Sequence, residues 1–201
     1  MKRILFIVAF AVIFIAAKAE GPYVPGDYVS DFKLKDVNGK LVSLSQFEAA
    51  KGFIVVFSCN TCPVVKKYED RIIGLNDEFS KKGYPVIAIN SNDRTVSPGD
   101  SYEEMKKLSA SKGYKFEYLY DETQDVAKQF GATNTPHVYV LSKNDDKLKV
   151  EYVGAIDNNA DNGDSADKKY VAETVNDLLK GDKPDITATK AVGCTIKWKK
   201  N

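Results

Sequence analysis

The segment that most constrains the fold is an apolar run that leads directly into two cysteines and then into a helical pattern. Residues 53–57 are continuously apolar and rich in β-branched side chains, which is typical of a central strand covered on both faces. Cys59 and Cys62 follow at once, and Pro63 suits the first turn of a helix because its missing N–H would have no partner there. Apolar residues then recur at helical spacing as far as Phe79. A strand–turn–helix unit is therefore predicted.

The rest of the chain alternates predicted strands with predicted helices. A β-hairpin is predicted over residues 31–44, around the tight-turn pair Asn38-Gly39. Residues 85–89 form a second predicted buried strand, and a polar loop follows over residues 90–100. The remaining predicted elements are helices at 101–112, 123–130 and 166–179, and strands at 137–141 and 149–153. This order indicates an α/β fold with a mixed central sheet, helices on both of its faces, and an N-terminal β-hairpin.

The first nineteen residues have the layout of a secretory signal peptide. Lys2 and Arg3 precede an unbroken apolar run, and Ala17-Lys18-Ala19 matches an A-x-A cleavage pattern. The run is shorter than the roughly 20 residues that a bilayer span needs, which favours a signal peptide that is cleaved. The alternative is that the segment remains as an uncleaved membrane anchor. We therefore expect an exported protein, periplasmic or extracellular, with no membrane attachment after cleavage.

Charge and composition give no support for a nucleic-acid partner. The chain has 29 basic and 28 acidic residues, and three of the basic ones lie in the predicted signal peptide. A balance this close to neutral, without a long basic run, lacks the positive surface that nucleic acids need. No internal repeat or composition break marks a second domain. We expect one domain over residues 20–181 and a C-terminal tail over residues 182–201.

Cys59 and Cys62 are predicted to be a redox-active dithiol. At the mouth of a helix, unpaired N–H groups and the helix dipole would stabilise a thiolate on an exposed Cys59. Cys62, one turn further on and more covered, would close the disulfide. The alternative is a static disulfide or two inert thiols, although so short a loop gains little stability from a crosslink. Disulfides persist in the exported compartment that the N-terminus predicts.

A second motif opens the predicted strand at residues 137–141. Pro136 cannot donate to a β-ladder, so it must occupy a strand end or a special turn, and a cis bond after Thr135 is one such feature. His137 is the only histidine of the chain. It is a candidate proton carrier near neutral pH or a candidate metal ligand, and a locally hydrogen-bonded strand-end histidine is the alternative.

The two motifs together resemble the thioredoxin superfamily. The segments FKLKDVNGKLVSLSQF and DETQDVAKQFGATNTPHVYVL resemble its redoxin branch, which holds the alkyl hydroperoxide reductase/thiol-specific antioxidant group and the exported TlpA/ResA-like thiol–disulfide oxidoreductases. The likeness covers roughly residues 25–180. It implies a thioredoxin-like fold with Cys59 as nucleophile and Cys62 as resolving thiol. It also implies that Pro136 is a cis-proline facing them and that Thr135 pairs its backbone with an extended partner peptide.

The chain departs from these relatives near the cysteines. Ser58 and the pair Asn60-Thr61 stand where thioredoxin has Trp and Gly-Pro, so its redox potential does not carry over. Phe53 stands where thioredoxin has a buried aspartate. Glu69, two turns along the predicted helix, is then a candidate proton carrier, with a solvated surface carboxylate as the alternative. Peroxiredoxins place Pro seven and Thr three residues before the reactive cysteine, and neither residue stands at those offsets from Cys59 or from Cys62, which disfavours a dedicated peroxidase.

The third cysteine, Cys194, lies in the tail segment AVGCTIKW. If the tail folds back, Cys194 is a candidate third redox thiol that attacks an adduct on Cys59 or Cys62. A lone buried cysteine that packs as a small apolar residue is an equal alternative.

The function predicted from these residues is exchange of disulfides with protein thiols, supported by an upstream redox partner and with no cofactor. The alternative from a different class is a thiolate-based carrier of copper or zinc. The three cysteines and His137 would supply the sulfur and imidazole ligands that these ions accept.

Overall fold

The computed structural model describes residues 21–145 and 147–200. The predicted signal peptide lies outside these residues. The helices are α1 (Pro63–Phe79), α2 (Tyr102–Lys112), α3 (Asp125–Phe130) and α4 (Tyr170–Lys180). The strands are β1 (Tyr28–Val29), β2 (Lys33–Asp36), β3 (Leu41–Ser43), β4 (Gly52–Ser58), β5 (Val86–Asn90), β6 (Glu117–Tyr120), β7 (Asn134–Thr135), β8 (His137–Asn144), β9 (Lys147–Gly154) and β10 (Cys194–Thr195). No helix in the described ranges is long and apolar enough to cross a membrane.

Eight of these strands form one mixed sheet in the order β1-β9-β8-β4-β5-β6-β2-β3. The three strands β4, β5 and β6 run parallel to one another, while β8, β9 and the β2–β3 hairpin pair antiparallel. Every residue of β4 is buried, as expected for a strand in the middle of a sheet that is covered on both faces. The predicted mixed sheet with an N-terminal hairpin is confirmed.

The two faces of the sheet bury different side chains of β4. Ile54 and Val56 pack in one apolar cluster with residues of α1 and α4. Val55 and Phe57 point to the opposite face, because successive strand side chains alternate, and pack with Phe130 of α3. Helices therefore cover both faces, as predicted.

Four strands are absent from the sequence prediction. β1, β7 and β10 have two residues each and β6 has four, so none of them carries a long enough pattern to be recognised. The last helix also differs from its prediction, because it begins at Tyr170 rather than Ala166. A short 3₁₀ turn at Gly163–Ser165 precedes it.

The C-terminal tail packs against the domain through backbone hydrogen bonds. Val153 of β9 donates its N–H to Thr187 O (3.0 Å) and accepts from Thr189 N–H (2.9 Å). Further on, β10 pairs with β7 and the side chain of Ile196 is buried. The tail shows no sequence period because these contacts use its backbone rather than a regular apolar face.

Replacement of Gly52, the first residue of β4, tests how tightly the sheet is packed. A Cβ at this position would lie 2.1 Å from Leu141 O and 2.4 Å from the ring of Tyr84. We expect Gly52→Ala to lower the free energy of unfolding in urea by roughly 1–3 kcal/mol, because a strand backbone cannot move aside freely.

The matched control for this substitution is Gly74→Ala on α1. A Cβ at Gly74 meets nothing within 4 Å, and alanine favours helix, so this variant should be neutral or more stable by up to about 1 kcal/mol. Equal unfolding free energies for the two variants would contradict the close approach at Gly52.

Candidate functional site

The three cysteines meet beside the N-terminus of α1. Cys59 follows β4 directly, and Cys62 is the N-cap residue of α1 with Pro63 as the first helical residue. Cys194 packs against this cluster from the C-terminal tail, with its thiol beside Cys62. All three are free thiols. The fold thus gathers every cysteine of the chain into one cluster.

Thr135 connects the two cysteines of the motif. The Sγ of Cys59 lies 3.3 Å from Thr135 Oγ1, and the protonated Cys62 thiol donates to Thr135 O at 3.2 Å. The peptide bond between Thr135 and Pro136 is cis, as the resemblance implies. The motif at the start of β8 therefore lies against the CxxC motif, as expected from the sequence.

The expectation of an exposed Cys59 thiol is wrong. Cys59 is 2% exposed and Cys62 is 3% exposed, so the two thiols are covered equally. Thr135, itself buried, lies over both of them. In addition α1 begins one residue after Cys62, so the N–H groups at the helix N-terminus act on Cys62 more directly than on Cys59.

The electrostatics favour negative charge on Cys62. Its pKa is lowered because it accepts hydrogen bonds from the thiols of Cys59 and Cys194 and from the N–H groups of Val65 and Cys194. The pKa of Cys59 is raised because its thiol donates to Cys62, because it is buried, and because the carboxylate of Asp100 is close. One thiolate held by the cluster is therefore best stabilised on Cys62.

Asp100 is a central residue of the site that the sequence analysis did not identify. Its side chain is fully buried, and Oδ1 accepts hydrogen bonds from the N–H groups of Asn60 (2.7 Å) and Thr61 (3.1 Å). Its Oδ2 accepts from Thr61 Oγ1 (2.8 Å), from Asn92 Nδ2 (2.8 Å) and from Ser97 Oγ (2.7 Å). The carboxylate thus holds both residues that separate the two cysteines.

A sequence signal for Asp100 does exist. The segment NSNDRTVSPGD begins at the last residue of β5, which is the parallel neighbour of β4. Polar side chains that follow the carboxyl ends of adjacent parallel strands meet at one edge of the sheet, where sites commonly form. The run was predicted only as a loop, and its buried residues show that it belongs to the site.

The tail strand β10 lies along the edge that was expected to receive a partner peptide. It pairs antiparallel with β7, and Cys194 stands opposite Thr135 in the register. The pKa of Cys194 is raised, because the thiol is partly buried and because it donates to Cys62. In this structure the backbone of Thr135 is therefore paired with the chain's own tail.

The two candidate proton carriers have other partners. His137 Nδ1 accepts a hydrogen bond from Thr133 N–H at 3.4 Å, and burial lowers the pKa of His137 to about 4. Glu69 is buried rather than solvated, because its carboxylate accepts from Tyr114 OH (2.6 Å) and pairs with Lys112. Across the described residues, no hydrogen bond joins either side chain to a cysteine.

The described part of the chain contains no group of three or more histidine, cysteine, aspartate or glutamate side chains placed to hold a metal ion. The set proposed from the sequence, three cysteines with His137, does not form one. His137 instead accepts a hydrogen bond from the N–H of Thr133.

Comparisons with known proteins agree on the family. The model of the AhpC/TSA family matches residues 25–152, which is more than half of the chain. A crystal structure of an uncharacterised conserved protein from Geobacillus kaustophilus is similar, with a TM-score of 0.81 and 35% identity. That match covers 88% of this chain and 93% of the other.

Two curated relatives have names that describe thiol chemistry. The thiol–disulfide oxidoreductase ResA of Halalkalibacterium halodurans is 22% identical over 129 residues, which are 64% of this chain and 69% of that protein. Chloroplastic peroxiredoxin Q of Oryza sativa subsp. japonica is 30% identical over 128 residues, which are 59% of this chain and 54% of that protein. These similarities confirm the redoxin branch of the thioredoxin superfamily that the sequence motifs imply.

Removal of the buried carboxylate at Asp100 tests its effect on the cysteines. We expect Asp100→Asn to lower the free energy of unfolding by roughly 2–3 kcal/mol, because an amide cannot accept all of the hydrogen bonds that the carboxylate accepts. Loss of the nearby negative charge should also lower the pKa of Cys59. In a Cys62→Ser, Cys194→Ser chain, the pH midpoint of Cys59 alkylation reports that pKa directly.

The control is Asp77→Asn, an exposed position on α1, made in the same background. It removes the same charge away from the site, so both the stability and the alkylation midpoint should stay close to their starting values. An Asp100→Asn chain that behaves like this control would contradict the role of Asp100 at the motif.

Stability at acid pH tests the burial of His137. Its pKa is about 4 in the folded chain against an ordinary value of 6.5, so the unfolded chain takes up the proton first as the pH falls. Burial of neutral His137 therefore contributes to the free energy of unfolding fully above pH 6.5. This contribution falls by up to roughly 3 kcal/mol as the pH decreases towards 4. Urea unfolding of wild type and His137→Gln across this range should give a difference that changes by that amount. A constant difference would contradict a buried neutral His137.

Proposed function

The chain belongs to the AhpC/TSA family, and on that premise we propose that it is an exported thiol–disulfide oxidoreductase whose redox centre is Cys59 and Cys62. The relatives support oxidoreductase chemistry at a general level. The observation that supports the finer proposal is the position of the two cysteines, which pack in one cluster beside Thr135 and both bind it. Two cysteines packed in this way can form a disulfide when their sulfur atoms come within bonding distance.

The proposed reaction is a pair of exchange steps. A thiolate of the pair attacks a partner's disulfide, an S–S bond forms between them, and one partner sulfur leaves as a thiolate and takes up a proton. The second cysteine then attacks the mixed disulfide, and the partner's other sulfur leaves. The partner's disulfide is reduced and the Cys59–Cys62 pair is oxidised. The same steps in reverse transfer a disulfide to a partner's thiols, and an upstream redox partner restores the starting state.

The proposed partners and location rest on the sequence motifs. The signal-peptide pattern of residues 1–19 supports export, and a compartment outside the cytoplasm is where exchange of protein disulfides is needed. The backbone of Thr135 supports recognition of an extended partner segment by strand pairing. In the structure that edge carries β10, so such a partner has to displace the tail strand.

A thiol-dependent peroxidase is the second candidate, favoured by the similarity to peroxiredoxin Q. In that reaction a thiolate attacks the O–O bond, water leaves, and a second thiol condenses with the sulfenic acid to give a disulfide and another water. Gly52 and Val56 stand seven and three residues before Cys59, where peroxiredoxins place Pro and Thr. The residues that serve peroxide in those enzymes are therefore missing, which ranks this candidate second.

A redox titration tests the oxidoreductase proposal. In a Cys194→Ser chain equilibrated with reduced and oxidised dithiothreitol, alkylated thiols are counted by mass spectrometry. We expect two thiols to disappear together in one transition, since the pair is a two-electron couple. A potential near about −270 mV would indicate a reductant and one near about −120 mV an oxidant. Two thiols that remain alkylated throughout would contradict the proposal.

Single substitutions in the same Cys194→Ser background identify the attacking cysteine. If Cys59 attacks, as the resemblance implies, Cys62→Ser should accumulate a stable mixed disulfide with a cystine-containing peptide, and Cys59→Ser should accumulate none. The reverse pattern would assign the attack to Cys62. Consumption of hydrogen peroxide at a rate comparable to disulfide reduction would instead favour the peroxidase candidate.

A further inference from the structure

The tail strand β10 lies beside the site as a short extended segment that begins with Cys194. Cys194 pairs with Thr135, while Asn134 Nδ2 donates to Gly193 O at 3.0 Å and Ile196 N–H donates to Thr133 O at 3.0 Å. An extended cysteine-bearing segment on this edge has the geometry of a bound peptide in strand pairing. The occupant here is a segment of the same chain.

Gly193 makes this close approach possible. A Cβ at Gly193 would lie 2.1 Å from Thr135 O and 3.0 Å from Pro136 N, so another residue would push the tail away from β7. Glycine at a position of close backbone contact permits a distance that other residues do not. Gly193 therefore allows the backbone of the tail to lie close to the backbone of Thr135.

A second set of hydrogen bonds fixes the tail beyond Cys194. Lys197 N–H donates to Asn92 Oδ1 (2.8 Å), and Lys197 O accepts from Asp93 N–H (2.8 Å) and Gln124 Nε2 (2.9 Å). The Gln124 Oε1 accepts from Lys199 N–H at 2.9 Å, and the Gln124 side chain is buried. The tail is therefore held on both sides of Cys194, which keeps this thiol in contact with Cys62.

We propose that Cys62 has two disulfide partners, Cys59 and Cys194, and that a disulfide formed at the CxxC motif moves on to the tail. The inference rests on the proposed function, which supplies the Cys59–Cys62 disulfide. In the added step the Cys194 thiolate attacks the Sγ of Cys62. The Cys62–Cys194 bond forms, the Cys59–Cys62 bond breaks, and Cys59 leaves as a thiolate that takes up a proton. The step needs no further oxidant, since one disulfide replaces another.

Oxidation of the motif prepares Cys194 for this attack. In the reduced cluster the negative charge on Cys62 is one of the causes that raise the pKa of Cys194. That charge disappears when Cys62 enters a disulfide with Cys59. The N–H of Val64, at the N-terminus of α1, still donates to Cys194 and stabilises its thiolate. The Cys194 thiolate is therefore easier to form when Cys62 is part of the disulfide that this thiolate attacks.

The consequence is a site with two oxidised forms. In the first, Cys59 and Cys62 are joined and the tail is held by hydrogen bonds alone. In the second, the tail is bonded covalently to Cys62, the N-cap residue of α1, and the edge of β7 cannot open to a partner peptide. Cys59 is then a free thiol. Movement of the disulfide therefore couples the redox state of the motif to access to the Thr135 edge.

Peptide mapping of the full chain distinguishes the two disulfides. The chain is oxidised by oxidised dithiothreitol, its free thiols are alkylated, and it is digested with trypsin without reduction. Cleavage after Lys51 and Lys66 leaves Cys59 and Cys62 on one peptide, and cleavage after Lys190 and Lys197 leaves Cys194 on another. A Cys59–Cys62 disulfide stays within one peptide, whereas a disulfide to Cys194 joins two. Fragmentation of the peptide between Cys59 and Cys62 in the mass spectrometer shows which of the two is bonded to Cys194.

We expect joined peptides with the bond at Cys62 and the alkyl group at Cys59. Cys59→Ser should still give the joined peptides, and Cys194→Ser should give only the internal disulfide. The inference would be overturned if oxidised wild type contained only the internal Cys59–Cys62 disulfide and Cys194 was alkylated both in wild type and in Cys59→Ser. That result would leave the proposed function intact. Absence of both disulfides would overturn the proposed function as well.

Displacement of the tail gives an independent measurement. Gly193→Ala should reduce the yield of joined peptides at least tenfold without loss of the internal disulfide, because only the approach of the tail strand is disturbed. Gly74→Ala serves as the matched glycine control and should give the wild-type yield, since its Cβ meets nothing within 4 Å. An unchanged yield in Gly193→Ala would contradict a transfer that depends on the paired tail.

Discussion

The site depends on the buried carboxylate of Asp100. A fully buried charge is unfavourable unless its oxygens are satisfied, and here five donors surround it. Two of the donors belong to the backbone between the cysteines and one to the side chain of Asn92. Asn92 in turn accepts from Lys197 N–H in the tail. A single carboxylate therefore links the CxxC turn, the loop after β5 and the tail that carries Cys194.

The same charge contributes to the difference in pKa between the two cysteines. Cys59 is close to Asp100, whereas Cys62 is the N-cap of α1 and receives hydrogen bonds from several donors. Burial alone does not distinguish the two thiols, because both are almost completely covered. The pKa difference between them comes first from the hydrogen bond that the Cys59 thiol donates to Cys62, and then from the carboxylate near Cys59 and the further donors around Cys62.

Local sequence patterns predict the strands and helices of this molecule better than the long-range contacts that cover its cysteines. The apolar run of residues 53–57 predicts β4 correctly because a strand buried on both faces leaves a continuous signal. Asp100 is not predicted as a site residue, since its position under the CxxC turn is a contact between distant parts of the chain. The exposure of Cys59 is predicted wrongly for the same reason, because its cover comes from Thr135. Cys194 is left as an open alternative, since a two-residue strand has no period.

The pairing of the tail with β7 also decides when the site becomes complete during folding. The contacts among β4, α1 and β5 join neighbouring parts of the chain, whereas Cys194 meets Thr135 and Cys62 only after almost the whole described sequence is available. Contacts that close long loops form late, because the chain must lose conformational entropy before the contact can stabilise it. As the chain is synthesised from its N-terminus, Cys59 and Cys62 therefore stay open to the thiols and disulfides around them until Thr135 packs over them. Cys194 joins the cluster only in the last stage of assembly.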